Sequence, residues 1–504
     1  MSDVVLIEPP YWERKKKPRE QPQLGLAYIA SYLEKCGFSV NIIDASLEDL
    51  SPEQIVEQVI EMSPRVVGIT GCTDDRMGMI EIINVVRDRC GVEVLIAAGG
   101  PHFSYTAEDA LRNIPALDVV AIGQGEYTMA ELVESHRAGK QNIDYGAIRG
   151  IAYRENGVVS FSPPRDVIAD LNEMPSPAWH LFDMERYQGI MSAGAPFRAI
   201  GVLSSRGCPY SCSFCANSLT KKFKYMEPSV FVDQVEFLME KYGIEAFNFL
   251  DDSFMANRKH AENICKEIIA RGLDIKWYCS IRVDRAAKDK ELLALMQKAG
   301  CIAVGFGVEF ASDDVLKHVS KNTTVAMIEA ALRNVKDLGF PYITLFQINS
   351  LPGQTRENTV QAQMNMNRFH EILYGEYPYA VFRGALARLY PGTELTTVAQ
   401  EQGLLEKDFQ WNAYYRNPNA EKYDDWLIGC WSVPNYENED LSIEEIDRIL
   451  RRTQLKLSLR RIRNKKMIVP LMKSLCSPAK WKHLAHAAGI RRARSSRKPT
   501  APPM

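Results

Sequence analysis

Residues 3 to 135 alternate short apolar runs with stretches of helical period. Asp3 to Ile7 reads as a buried strand, Leu24 to Cys36 as an amphipathic helix stopped at Gly37, and Ser39 to Ile43 as a second strand. A helix near Pro52 to Met62, a strand Val66 to Thr70, a helix ending near Arg89, strands Val92 to Ala97 and Val119 to Ile122, and a helix from about Thr128 continue the series. Strand and helix at such short intervals predict a parallel sheet covered on both faces. Ligands of these sheets bind beyond the carboxyl ends of the strands, here Thr70 to Thr73, Gly99 to His102 and Gly123 to Glu126.

Ile148 to Phe161 alternates about Asn156 and Gly157, a hairpin turn dipeptide. Pro163 and Pro164 end it, and Met174 to Trp179 runs extended because residues before proline avoid the α region. From Arg198 the alternation restarts, with candidate strands Ile200 to Ser204, Ala246 to Leu250, Ile275 to Ser280, Ala303 to Val308, Ile343 to Ile348 and Ala380 to Ala387. Six parallel βα units predict a partial TIM-like barrel with its site at the strand ends. The expected organisation is α/β: a Rossmann-like (flavodoxin-like) domain over 1–140, a linker with a hairpin over 141–195, a (β/α)6 barrel over 196–400, a helical cap over 401–450 and a basic tail over 451–504.

Composition refines this picture little, since 46% hydrophobic and 25% charged residues over 504 positions describe an ordinary soluble chain of two to four domains. The start passes from an apolar strand straight into charge, without a secretory segment, and no apolar run of about 18 residues follows. Eleven cysteines, an odd number, read as reduced thiols, so a cytoplasmic location is expected. Charge changes the picture at one end: 16 of the 61 basic residues and none of the 63 acidic ones lie from Arg451 onward. Interleaved Leu455, Leu459, Ile462 and Ile468 make this a candidate for peripheral contact with the anionic inner face of a membrane, although Pro470 interrupts any single helix. A solvated tail is the equal alternative, and a nucleic-acid contact the least favoured one.

The chemistry concentrates in Ser205 to Asn217, where Cys208, Cys212 and Cys215 place three thiols in eight residues. Thiolates suit zinc or an iron-sulfur cluster. His180, His260 and Cys265 lie far off in sequence, so zinc would need a distant fourth ligand, whereas a four-iron cluster with one open iron needs none.

The C-x3-C-x2-C spacing, with Phe214 before the last cysteine, resembles the signature of the radical S-adenosylmethionine (SAM) superfamily. The resemblance implies a 4Fe-4S cluster whose open iron chelates SAM, a 5'-deoxyadenosyl radical, and a reducing electron donor such as flavodoxin or ferredoxin. Each later barrel strand should aim a polar residue at the same mouth: Asp251 and Asp252, Arg282, Glu309 and Gln347. The family pattern gives Glu309 the SAM ribose and Arg282 its carboxylate. Loop caps and surface ion pairs are the alternative for such residues. Leu351 to Thr355 and Tyr390 to Thr393 match the family too, but turn chemistry accounts for both.

Pro22 to Leu26, Asp44, Gly99 to His102 and Gly123 to Glu126, taken as an ordered set, resemble the cobalamin-binding domain that precedes many radical SAM cores. The resemblance implies cofactor contacts from Thr70, Thr73, Gly99, Gly100, Pro101, His102, Gly123, Gly125 and Glu126. A flavodoxin-like domain that binds nothing of the kind is the alternative. No Asp-x-His-x-x-Gly motif occurs, so cobalamin is expected base-off and without a histidine on cobalt, His102 meeting the corrin by backbone or side chain.

Together the modules resemble a cobalamin-dependent radical SAM enzyme over nearly 400 residues. The resemblance implies methylation of an unactivated carbon, or of phosphinate phosphorus, on a small-molecule or lipid-like substrate. One SAM methylates cobalamin, and a second yields the radical that takes a substrate hydrogen before the methyl is passed on. The alternatives are a ring-forming enzyme of the anaerobic magnesium-protoporphyrin monomethyl ester cyclase type and a non-catalytic cobalamin or iron-sulfur sensor. Trp411, Tyr414, Tyr415, Tyr423, Trp426 and Trp431 would cap the barrel mouth or fill the core of the cap.

Overall fold

The computed structural model describes residues 2–10, 21–137, 139–216, 221–374, 380–423 and 425–463. Its first sheet comprises β1 (Val4–Glu8), β2 (Val40–Asp44), β3 (Val66–Thr70), β4 (Leu95–Gly99), β5 (Val119–Ala121), β6 (Ile151–Glu155) and β7 (Val158–Phe161), in the order β2-β1-β3-β4-β5-β6-β7. The first five are parallel. Their order is the flavodoxin-like one, with a topological switch between β1 and β3.

Alternation along each strand feeds two separate cores. Val5 and Ile7 of β1 pack with Ile55, Val59 and Ile83 on one face, while Val4 and Leu6 pack with Leu26, Leu33 and Leu132 on the other. The helix Pro52–Met62 forms where the sequence placed it, because Ser51 and Gln54 make a capping box and Pro52 occupies the first turn.

Two sequence expectations shift. The strand expected from Val92 begins at Leu95, since Arg87 Nη1 takes the Gly91 and Val94 carbonyls at 2.6 and 3.0 Å and Val92 is 70% exposed. The predicted hairpin turns at Asn156 and Gly157, both at positive φ as a type I′ turn requires. It is no linker: β6 pairs antiparallel with β5 and β7 with β6, so the first sheet runs to Phe161 and the boundary drawn at residue 140 falls inside it.

The second sheet has the order β16-β15-β14-β13-β12-β9-β8. β8 (Ile190–Met191) is an antiparallel edge on β9 (Ala195–Val202). A two-residue ribbon, β10 (Ser205–Arg206) with β11 (Lys224–Tyr225), closes the base of the cysteine loop. Then β12 (Ala246–Phe249), β13 (Lys276–Arg282), β14 (Cys301–Glu309), β15 (Tyr342–Asn349) and β16 (Ala380–Leu386) continue parallel to β9, giving the six-stranded partial barrel. Outward-facing Phe249 and Trp277 stack at 4.5 Å beneath the covering helices.

Beyond β16 the chain is mostly irregular, with short helices Glu394–Glu401 and Asp425–Ile428 before a long one, Ile443–Arg463. The remainder of the expected tail, 464–504, lies outside the described residues. Among the described residues no helix is long and apolar enough to cross a membrane.

Candidate functional site

At the carboxyl ends of β1, β3, β4 and β5 a cavity of about 370 Å³ opens, and Thr70, Gly99, Gly100, Pro101, Gly123, Gly125 and Glu126 all line it. Glycine is needed here for space as well as for conformation. Gly100 has φ +85°, and a Cβ on it would lie 2.6 Å from Thr70 Oγ1; a Cβ on Gly68 would lie 2.8 Å from Leu6 Cδ2. An apolar, glycine-walled cradle at a switch point suits a flat organic group approached closely by backbone, so the residues present fit a cobalamin.

Two expected contacts stand elsewhere. Thr73 and His102 are buried outside this cavity. The His102 ring, with no exposure, has Nδ1 3.2 Å from Thr73 Oγ1 and Nε2 3.2 Å from Asn412 Oδ1. Both ring nitrogens of His102 thus meet protein groups, one of them in the C-terminal cap, and the backbone contact to a corrin is untouched by this. Burial pushes the His102 imidazole down to about 3, so it is neutral. Asp44 likewise works as a helix cap, accepting from Leu47 N at 2.8 Å and from the Tyr187 hydroxyl.

The cavity is completed by the second domain, through Leu203 and Arg206. Arg206 Nη1 pairs with Glu126 Oε1 at 2.7 Å, and its guanidinium lies 4.7 Å from the centre of the Tyr28 ring.

Two residues after Arg206 comes Cys208. Cys208, Cys212 and Cys215 are all half-buried. Their loop is fixed from several sides: Ser213 N donates to the Val319 carbonyl at 3.2 Å, Leu395 N to the Ser213 carbonyl at 2.9 Å, and Tyr105 OH to the Ala216 carbonyl at 3.4 Å. At its base the buried Asp251 accepts from Ser204 Oγ at 2.7 Å, Ser204 N at 3.3 Å and the Ser205 hydroxyl. Ser204 Oγ also lies 3.1 Å from His260 Nε2. Among the described residues no three His, Cys, Asp or Glu side chains converge as a mononuclear metal requires. Cys208, Cys212 and Cys215, three thiols of one loop, would be the ligands of a 4Fe-4S cluster.

Around this loop the strand-end residues do come together. Arg282 lies over the Tyr210 ring at 4.0 Å, with Nη1 3.7 Å from Cys212 Sγ, Nε on Asp284 at 2.8 Å and Nη2 on the Lys321 carbonyl at 2.6 Å. Glu309, at φ +58° on a bulge of β14, takes Lys321 Nζ at 2.8 Å. Gln347 pairs with Glu309 in register, and Phe214 sits 5.8 Å from Lys321 Nζ. Asp252 is raised to about 6, by burial first and by its neighbour Asp251 second. Lys321 was not singled out in the sequence. It stands in an ordinary polar loop, and its signal is conformational: Ser320 and Asn322 on either side both have positive φ.

Comparison with known proteins agrees with this geometry. The B12 binding domain family matches residues 17–133 and the Radical SAM superfamily residues 202–362. An uncharacterized methyltransferase of Pyrococcus horikoshii is 32% identical over 415 residues, 82% of this chain and 86% of the relative. The anaerobic magnesium-protoporphyrin IX monomethyl ester cyclase of Rubrivivax gelatinosus is 29% identical over 69% of this chain but only 62% of its own length. The radical SAM methyltransferase TsrM of Kitasatospora setae, solved with cobalamin and a 4Fe-4S cluster bound, superposes with a TM-score of 0.62 at 20% identity, covering 80% of this chain and 75% of that one.

Proposed function

We infer the activity from one premise: this chain belongs to the cobalamin-binding radical SAM family. It is a cobalamin-dependent radical SAM enzyme, with a 4Fe-4S cluster, SAM and cobalamin as its cofactors, and it acts as a methyltransferase. The three supply reductive generation of a carbon radical and transfer of a methyl group. The finer reading proposed here is methylation of an unactivated carbon or of phosphinate phosphorus. The observation that carries it is the shared wall: Arg206 lines the cofactor cavity and stands two residues before Cys208.

The chain's own residues then take definite tasks. Cys208, Cys212 and Cys215 hold the cluster, and Gly99, Gly100, Pro101, Gly123 and Gly125 admit the cobalamin to the strand ends. Glu309 accepts from the ribose hydroxyls of SAM, while Arg282 and Lys321 supply cations for its carboxylate. Asp252 and Gln347 stand at the same mouth as polar contacts. Product analysis under a strong reductant tests this reading. Methyl transfer yields S-adenosylhomocysteine and 5'-deoxyadenosine together, a cyclase yields the second without the first, and a sensor yields neither in quantity. The cyclase likeness covers less of the relative, which favours methyl transfer.

We further propose a small-molecule or lipid-like substrate, a flavodoxin or ferredoxin as electron donor, and peripheral contact with an anionic membrane face through the basic segment. Supporting the last is the segment from Arg451, in which each Lys or Arg near an anionic surface is worth about 1 kcal/mol. Sedimentation with anionic and neutral vesicles should show salt-sensitive binding that truncation at residue 450 removes. Equal sedimentation of the truncated protein would overturn it.

A further inference from the structure

A closed ring of hydrogen bonds joins the cofactor domain to the C-terminal cap. Thr73 Oγ1 meets His102 Nδ1, His102 Nε2 meets Asn412 Oδ1, the carbonyl of the adjacent Trp411 accepts from Arg76 Nε at 2.8 Å, and Arg76 Nη1 returns to the Thr73 carbonyl at 3.0 Å. Asn412 Nδ2 and N both donate to Asp109 Oδ2, at 2.6 and 2.8 Å, which leaves Oδ1 as the acceptor and puts the His102 proton on Nε2. Arg76, which has no exposure, also donates to Ser432 Oγ at 3.1 Å and to the Ser432 carbonyl. At the rim Asp74 takes Arg388 Nη1 at 2.7 Å and Tyr390 OH at 3.3 Å. A guanidinium taken wholly out of water needs all these acceptors, and most of them belong to the cap.

We infer that residues 387–435 are a clasp that sets the cofactor domain on the barrel, and that Arg76 and His102 are positioning residues for the step in which SAM and cobalamin meet. The inference rests on the reading of function given above. Its geometry is local: Thr73 follows Thr70 and Cys72 of the cavity wall, and Arg206, at the base of the cluster loop, lines the same cavity. The cofactor domain is thus tied to the rest of the chain by Glu126 on Arg206, by Tyr105 on the Ala216 carbonyl and by the ring. Loosening the ring shifts the Thr70–Thr73 segment, part of the cavity wall, relative to the cluster loop while leaving the three cysteines in place.

Only one of the two reactions of SAM depends on that placement. One electron from the cluster splits SAM into methionine and a 5'-deoxyadenosyl radical, recovered as 5'-deoxyadenosine after uptake of a hydrogen atom, and the barrel suffices for it. Passing the methyl cation of SAM to two-electron-reduced cobalamin leaves S-adenosylhomocysteine and needs both domains in register.

The test uses the full-length protein loaded with cluster and cobalamin, with titanium(III) citrate as reductant, and the variants Arg76→Gln, Asn412→Leu and Asp74→Asn. The expected result is 5'-deoxyadenosine formation within about twofold of wild type and S-adenosylhomocysteine formation lowered about tenfold or more for the first two. The magnetic interaction between cobalt(II) and the reduced cluster, read by electron paramagnetic resonance, should weaken in parallel, and Arg76→Lys should restore part of it. Proportional loss of both products with an unchanged magnetic interaction overturns the inference, as does no change in either. If Arg76→Gln does not fold, Asn412→Leu carries the same comparison, and the rim variant Asp74→Asn should show the same selective loss to a smaller degree. Absence of S-adenosylhomocysteine from the wild type would sink the methyl-transfer reading instead, and the resonance comparison would still judge the clasp.

Discussion

Arg206 Nη1 lies 2.7 Å from Glu126 Oε1, so one ion pair, its acid only 5% exposed and its guanidinium over Tyr28, joins the wall of the cofactor cavity to the base of the cluster loop. Removing the cation strands a buried carboxylate, which costs about 3–5 kcal/mol, whereas Glu126→Gln keeps a neutral acceptor and costs less. Arg206→Met should lower the denaturation midpoint more than Glu126→Gln, and should lose cobalamin on gel filtration. Equal melting of the two variants would refute the pairing.

Each single Cys→Ala change at 208, 212 or 215 should abolish 5'-deoxyadenosine formation and the iron-sulfur absorbance of anaerobically reconstituted protein. Wild type should hold about four irons per chain. Stoichiometric zinc without that absorbance would contradict the cluster.

Gly100→Ala should weaken cobalamin retention while sparing the cluster. Its φ of +85° strains any L side chain by about 1–2 kcal/mol, and the new Cβ would fall 2.6 Å from Thr70 Oγ1 at the cavity wall. Equilibrium dialysis against cobalamin reads the effect, and unaltered retention would argue that the ligand approaches elsewhere.

Glu309 and Lys321 are each within a tenth of full burial, and their contact is a charge-assisted hydrogen bond. Glu309→Ala should weaken SAM binding about 10- to 100-fold, the loss expected for a charged hydrogen bond of about 1.5–3 kcal/mol, with the cluster spectrum unchanged. Isothermal titration with SAM decides it.

Stability should fall with acid through His102. Folded, burial holds this imidazole down to about 3; unfolded it titrates near 6.5, so between those values the unfolded chain binds more protons. The contribution is complete above about pH 6.5 and is lost as pH drops toward 3, amounting to about 5 kcal/mol at most. His102→Gln should flatten the pH dependence of urea midpoints over that range. Some slope persists from His260, which burial holds down to about 4 with the same sign. Parallel curves for variant and wild type would remove His102 from the account.

What could be read in advance followed local physics. Pro52–Met62 was legible because its cap, its proline and its apolar face are all within one stretch, and the cysteine spacing because a cluster needs its ligands close together. The hairpin was legible from Asn156 and Gly157, but the sheet edge it joins was not, since pairing partners 30 residues apart leave no trace in either strand. Lys321 stayed hidden because a lysine in a polar loop looks like any solvated lysine until Glu309 is placed beside it. The partners of the His102 ring stayed hidden for a related reason. Its loop matched a cofactor pattern, whereas its partner Asn412 lies 310 residues away.

That separation bears on the order in which the protein is made. At about 5–20 residues per second the ribosome needs about 15–60 s to go from His102 to Asn412. Once Phe161 has been made the sheet of the flavodoxin-like domain is complete, while Arg76 and His102 still lack their cap-side acceptors. The domain that carries the cavity is therefore made in full well before the cap residues that accept from its Arg76 and His102.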